Sequence, residues 1–414
     1  MALLTDGIAA GNVRDTGRVS KLVIDGVSNN YQVYQIRLDQ LFYNKQNDRI
    51  ATWMSSYREE HGGQAPDSTD REQFNGVIEE FICRSNPDAL KKTRKNIELY
   101  EQEVPAIVLD NGLIIDGNRR FTCLRQLARD NEKFNWIDAM ILPQSMAADP
   151  RRIKMLELNI QFGQEGKVDY NPIDRLVGIY NDILSNRLLT AEEYAKSANM
   201  SVREVNSFVE QSRLMGQFLD YCNAPRQFHL ARQLDAAGPI KEIPRLLKKC
   251  SDDDERDDVL NCIFANMVVE PKGDITRYVR RFKSILESPA APEFIRKEVD
   301  LAAEVADRLS ALPAVSSAAI RDEIRGDDKL VQRFIDTMDA ADLEAKRSKL
   351  LSAPAESILN AAHILEGIDS GLFSRLPAHE REEALKGLRD VEAAVESIRQ
   401  AIEAVEAYKD GDEA

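Results

Sequence analysis

The stretch Leu113–Leu127, LIIDGNRRFTCLRQL, decides how this chain is read. Leu113, Ile114 and Ile115 form an apolar run rich in β-branched residues. Asp116-Gly117 is a tight-turn signal, and Phe121, Leu124, Leu127 and Ala128 recur at helical spacing. The pattern predicts strand, turn, helix. Glycine at such a junction lets the backbone approach a ligand closely. The first turn of the helix offers unpaired N–H groups at the positive end of its dipole, which is an anion site in outline. Arg119 and Arg120 add planar forks suited to phosphate oxygens, and Thr122 adds a hydroxyl donor. The expected ligand carries phosphate. The plain alternative is a turn whose arginines are solvated or paired with carboxylates.

At 414 residues the chain is long enough for two or three domains, and 43% hydrophobic with 30% charged residues describes a soluble globular protein. No apolar run approaches membrane-spanning length, and Met1–Gly11 lacks the pattern of a signal peptide, so a cytoplasmic protein without membrane contact is expected. Five cysteines, scattered and never spaced as CxxC, indicate neither a disulfide framework nor a zinc site. Cys123 inside the key stretch is either a packed helix residue or a redox group. A formal net charge of −15 repels nucleic acid overall, so any DNA contact must be local.

Working outward toward the amino terminus, Lys21–Leu41 alternates as two strands with Ser28-Asn29-Asn30 as the expected hairpin turn. A polar loop, FYNKQNDRI at Phe42–Ile50, precedes three helices expected over Ala51–His61, Asp70–Cys83 and Asp88–Gln102. The last carries Lys91, Lys92, Arg94 and Lys95, a run that either contacts phosphate or forms a solvated face. Strands return at Val104–Leu109, where Pro105 suggests a sheet edge, and at Ile137–Leu142.

Beyond Asp149 the periodicity is helical almost throughout. Ile153, Leu156 and Ile160 share one face, and Pro172–Leu184 is amphipathic. Leu189–Met215 has the layout of a helix-turn-helix: Asn199-Met200-Ser201 is the turn, and Val202, Val205 and Val209 point inward from the second helix. Arg203, Glu204, Asn206 and Ser207 would face a major groove, with Arg203, Asn206 and Ser207 as the DNA-contacting candidates. Three cations against four carboxylates over Thr190–Met215 leave plain helical packing as the rival reading. The run Asp252–Asp258 reads as a solvated loop or helix start, and Ser288–Pro292 as a linker. In the last helix Leu388, Val391, Val395, Ile398, Ile402 and Val405 form an a/d seam, which packs on an in-chain helix such as Ala355–Leu365 or zips with a second copy. The expected architecture is therefore an α+β domain over 20–148, a helical domain with the helix-turn-helix over 149–247, and an acidic helical region over 248–414.

Three motifs in this order resemble the ParB/sulfiredoxin-like superfamily, specifically the amino-terminal and central domains of ParB partition proteins. NDRI at Asn47–Ile50 looks like the loop motif near the start of that fold. DGNRR at Asp116–Arg120 looks like its glycine-plus-double-arginine box, and LNIQF at Leu158–Phe162 falls where the family has a Glu-Asn-x-Gln-Arg box. The likeness covers roughly Tyr31–Met215. It implies binding of a nucleoside triphosphate (CTP in partition proteins, ATP or GTP in some relatives) with Mg²⁺. By position, Arg49, Asp116, Gly117, Asn118, Arg119, Arg120 and Thr122 would surround the nucleotide. Asn159 and Gln161 would lie near it, Asn159 as the metal ligand. Leu158 and Phe162 depart from the family's glutamate and arginine, which leaves Glu157 as the candidate catalytic carboxylate, with Glu165 nearby. The segment Ala51–Gln102 is an insertion relative to typical partition proteins.

The leading expectation is a ParB-like nucleotide-binding protein acting on or near DNA, in which binding or slow hydrolysis switches its conformation. Partition, DNA modification, defence and regulation are the roles considered. The alternatives are an NTPase, nuclease-like or kinase-like enzyme built on the same cleft, and a scaffold recruiting a protein partner or a second copy through its carboxyl-terminal helices.

Overall fold

Alternation along five strands builds the two amino-terminal cores. In the computed structural model, which describes residues 3–24, 27–45, 47–143, 149–162 and 171–412 (side chains as far as 404), the strands are β1 Val13–Ile24, β2 Val27–Arg37, β3 Ala106–Leu109, β4 Ile114–Asp116 and β5 Trp136–Leu142. They form one sheet in the order β1-β2-β5-β3-β4. The β3–β5 pair is parallel and the others are antiparallel. Ala106, Val108, Ile114, Ile137 and Ala139 face one core, and Ile107, Leu109, Ile115, Met140 and Leu142 face another, as a period of two requires.

Helices cover both faces. The first core receives α1 Ala51–Glu60, α2 Arg71–Ser85, α3 Pro87–Tyr100 and α4 Asn118–Ala128. The second receives Ile153, Leu156 and Ile160 of α5, Pro150–Phe162. Then come α6 Pro172–Ile179, a π turn at Tyr180–Ser185, α7 Ala191–Ala198 and α8 Val202–Tyr221. The α7–α8 pair is a helix-turn-helix: Asn199 ends α7 in the left-handed region, and Ser201 opens α8 with a reciprocal capping box to Glu204. The remaining helices are α9 Phe228–Gln233, α10 Ala237–Leu247, α11 Asp253–Val269, α12 Ile275–Arg280, α13 Phe282–Leu286, α14 Ala291–Ala311, α15 Ser317–Ile320, α16 Asp328–Glu366 and α17 Ala378–Asp412. An α+β region followed by an all-helical one is thus the observed class. No helix among the described residues is long and apolar enough to cross a membrane.

Several expectations are corrected. The β1–β2 ladder runs to Ile24 opposite Val27, so Ser28–Asn30 lie inside a strand and do not form the turn. Pro105 precedes an interior strand, because the residue before β3 donates no ladder bond. Val202 is exposed, while Val205 and Val209 point inward as expected. Ser288–Pro292 is no linker, since Ala291 is buried at the start of α14. One hydrophobic core runs from Ile173 to Ala345 across the expected boundary at residue 247. The chain divides instead into two compact units, Met1–Lys346 and Arg347–Ala414.

Candidate nucleotide-binding cavity

A cavity of about 700 Å³ opens beside the β4–α4 junction. Gly117 makes the junction possible. Its φ of 111° suits glycine, and a Cβ there would lie 2.7 Å from the Cβ of Ala106. The chain turns directly into α4, whose amino terminus carries no side-chain cap, so the backbone N–H groups of its first turn face the cavity region unclaimed. Asp116, Gly117, Asn118, Arg119 and Arg120 line the cavity, together with Asn47 and Arg49 from the loop before α1 and Gln161 from α5. The three motifs, far apart in sequence, thus meet at one place.

The two arginines of the box differ. Arg120 donates to Asp116 Oδ2 at 2.9 Å and to the Pro105 carbonyl at 3.4 Å, while its buried Nε has no partner. The guanidinium of Arg119 makes no hydrogen bond or ion pair among the described residues. Its burial, then the positive charge of Arg49 beside it, push its pKa below the ordinary arginine value. Asn118 Oδ1 is a further buried atom without a partner. Like charges crowded into a half-buried site, next to open helical N–H groups, are stabilised by an anion.

The remaining wall is formed by α3 and the loop after it. Lys92 and Lys95 line the cavity with Leu99, Tyr100 and Val104, and the last three are exposed, Tyr100 by 69%. Of the four cations read as either phosphate contacts or a solvated face, Lys92 and Lys95 line the cavity, while Lys91 and Arg94 do not. Their spacing held the signal: Lys92, Lys95, Asn96 and Leu99 recur at helical intervals along one stripe. The loop is held by Gln102, whose amide donates to the carbonyls of Asp138 and Val104 and accepts from the Asp138 N–H at 2.9 Å. Just before it Glu101 has a φ of 62° and ψ of −163°, a conformation that side chains rarely adopt.

Three expected site residues lie elsewhere. Thr122 is fully buried with its hydroxyl 2.8 Å from the Tyr43 hydroxyl and 3.0 Å from the Asn118 carbonyl, so it has no free donor for phosphate. Asn159 is half-buried on α5 and does not line the cavity, because its helical phase differs from that of Gln161. Glu157 is buried in an ionic cluster behind the cavity. Lys154 Nζ sits 2.8 Å from Asp48, 3.2 Å from Asp182 and 3.7 Å from Glu157. Burial pushes Glu157 up to about 8 and Asp182 up to about 7, against the pull of Lys154. A carboxylate so enclosed is no base for a water in the cavity. Gln161 joins the two regions, donating to Glu157 at 3.1 Å.

The donors among the described residues do not fit an ion held by protein ligands alone. No group of three His, Cys, Asp or Glu among the described residues could hold a metal, and Asp116, the cavity carboxylate in the box, is already paired with Arg120. Glu165 lies outside the described residues. On α8, Arg203, Asn206 and Ser207 are all exposed, and Ser207 accepts from the Gln211 amide through both its carbonyl and its hydroxyl. No family model matches the chain, and no curated protein aligns with it significantly.

Proposed function

We propose that the cavity binds a nucleoside triphosphate and that this binding, rather than turnover, is what the domain does. The observation that carries the reading is Arg119: a half-buried guanidinium without an ion-pair partner among the described residues, crowded by Arg49 and Arg120 at the uncapped amino terminus of α4. Lys92 and Lys95 extend the cationic wall enough for a chain of phosphates, and the exposed Leu99, Tyr100 and Val104 offer a nucleobase an apolar, aromatic surface. The resemblance to ParB-like proteins points to the same ligand class. Any Mg²⁺ would be carried by the phosphates, since the described residues supply no cage for it, and the enclosure of Glu157 argues against hydrolysis by that carboxylate.

The ionic cluster offers a route by which occupancy would be felt elsewhere. Asp48 adjoins Arg49, and its carboxylate is held by Lys154, which also pairs with Asp182 in the turn leading to α7 and α8. A nucleotide drawing on Arg49 would load this cluster and bias the helix-turn-helix, whose exposed Arg203, Asn206 and Ser207 are the proposed DNA contacts.

A calorimetric titration with CTP, ATP, GTP and inorganic tripolyphosphate, with and without Mg²⁺, tests the reading against Arg119→Ala. Binding that falls at least about tenfold in the variant supports it. No binding of any of the four ligands overturns it. Salt-dependent DNA binding that Arg203→Ala weakens would support the second part.

A further inference from the structure

Among the described residues, the seam of α17 is exposed along its length. Leu388, Val391, Val395, Ile398 and Ile402 recur at heptad a and d positions, yet each is between 36% and 50% exposed. On α16, Leu351, Ile358 and Leu365 repeat every seven residues and are exposed as well, so the in-chain helix does not bury the seam and adds apolar surface of its own. Apolar stripes this continuous mark an interaction surface.

We propose that the α17 seam docks on the α17 seam of a second copy of this chain, with the two helices antiparallel. The charges flanking the seam select the partner and the register. With Leu388 at a and Val391 at d, the g positions are Gly387, Ala394 and Ala401, and the e positions include Glu392 and Arg399. A parallel pair sets e against g and brings these charges no partner. An antiparallel pair sets e against e and g against g. When Val395 meets Ile398 and Val391 meets Ile402 of the second copy, Glu392 faces Arg399 twice, once on each side of the two-fold axis. Sliding by one heptad either way sets Glu392 against Glu392 or Arg399 against Arg399. The small g residues let the helices approach closely on that side. The surface is thus self-complementary, as a two-fold interface must be. This inference is independent of the nucleotide reading.

Sedimentation equilibrium of the full chain over micromolar concentrations is the test. The wild type should approach twice the monomer mass, and Val395→Asp with Ile398→Asp should remain monomeric. Arg399→Glu should raise the dimer dissociation constant about tenfold, because it turns both attractive pairs repulsive. Combining it with Glu392→Arg should restore the wild-type value. Arg399 also pairs with Glu396 of its own helix at 2.8 Å, so Glu396→Gln serves as the control and should leave the dimer intact. A wild-type monomer at every concentration overturns the proposal. So does an Arg399→Glu variant that dimerises like the wild type, or a double reversal that fails to recover.

Discussion

Lys154 and Asp48 form a buried ion pair, the ammonium lying 2.8 and 2.9 Å from the two carboxylate oxygens, and Asp48 immediately precedes the cavity's Arg49. Burial alone would push the ammonium pKa down, but Asp48, Glu157 and Asp182 outweigh it and hold the pKa well above its ordinary value. Among the described residues the lysine is thus the one cation paired with three enclosed carboxylates, and the loop bearing Arg49 is tied to α5 through it.

Replacing that cation leaves three buried carboxyl groups uncompensated. Lys154→Met should therefore cost about 3–5 kcal/mol of unfolding free energy, read as a shift in the urea midpoint. The loss should shrink as the pH falls toward 5, because the carboxyls can then enter the fold protonated. An unchanged midpoint would mean that the cluster is not a unit.

Arg119 predicts the opposite sign. Its guanidinium makes no ion pair among the described residues and is repelled by Arg49 and Arg120. Without ligand, Arg119→Ala should melt at or slightly above the wild-type temperature, while the rise in melting temperature on adding nucleotide should disappear. A strongly destabilised variant would show Arg119 to be structural.

Gly117→Ala tests the junction itself. The added Cβ meets Ala106 at 2.7 Å, and the φ of 111° is strained for any side chain. The expected loss exceeds about 1 kcal/mol in chemical denaturation, with weaker nucleotide binding because α4 must shift.

Tyr100 lines the cavity and is the residue with which the proposed base and phosphate recognition can be told apart. Tyr100→Ala should weaken nucleotide binding by about 1–3 kcal/mol, the usual worth of base stacking, and leave tripolyphosphate binding unchanged. Equal losses for both ligands would place the ring's role in packing.

Glu298 predicts a pH dependence. Burial pushes it from 4.5 up to about 8, and Asn266 donates to it at 2.7 Å. Between those pH values the native state keeps a proton that the unfolded chain has lost. Its contribution to stability is therefore whole below about 4.5 and falls as the pH rises through 8. Glu298→Gln should flatten that decline in urea midpoints measured from pH 5 to 9, since an amide can serve both hydrogen-bonding groups of Asn266.

Much of the cavity lining was legible because its signals are local. Gly117, Arg119 and Arg120 sit within four residues, and a strand-to-helix junction can be read from β-branching, glycine and periodicity alone. Thr122 was misplaced because its helical phase turns it inward to Tyr43, a partner 79 residues away. Glu157 and Asn159 were misplaced for the same reason on α5, where only Gln161 has the phase that reaches the cavity. The hairpin turn and the edge assignment of Pro105 failed because strand pairing is a relation between distant segments, which composition does not encode.

By itself, the sequence determined the α+β-then-helical order, the strand-turn-helix at Gly117, the capped helix-turn-helix and the heptad seam of α17. Each rests on spacing within a few turns of chain. Only the tertiary structure decided that α3 lines the cavity with Lys92, Lys95 and Tyr100, that Lys154 gathers Asp48, Glu157 and Asp182, and that Leu388, Val391, Val395, Ile398 and Ile402 of the seam stay exposed. Those outcomes depend on which faces pack together, and packing is settled by the simultaneous burial of apolar surface and the pairing of charges across the whole core.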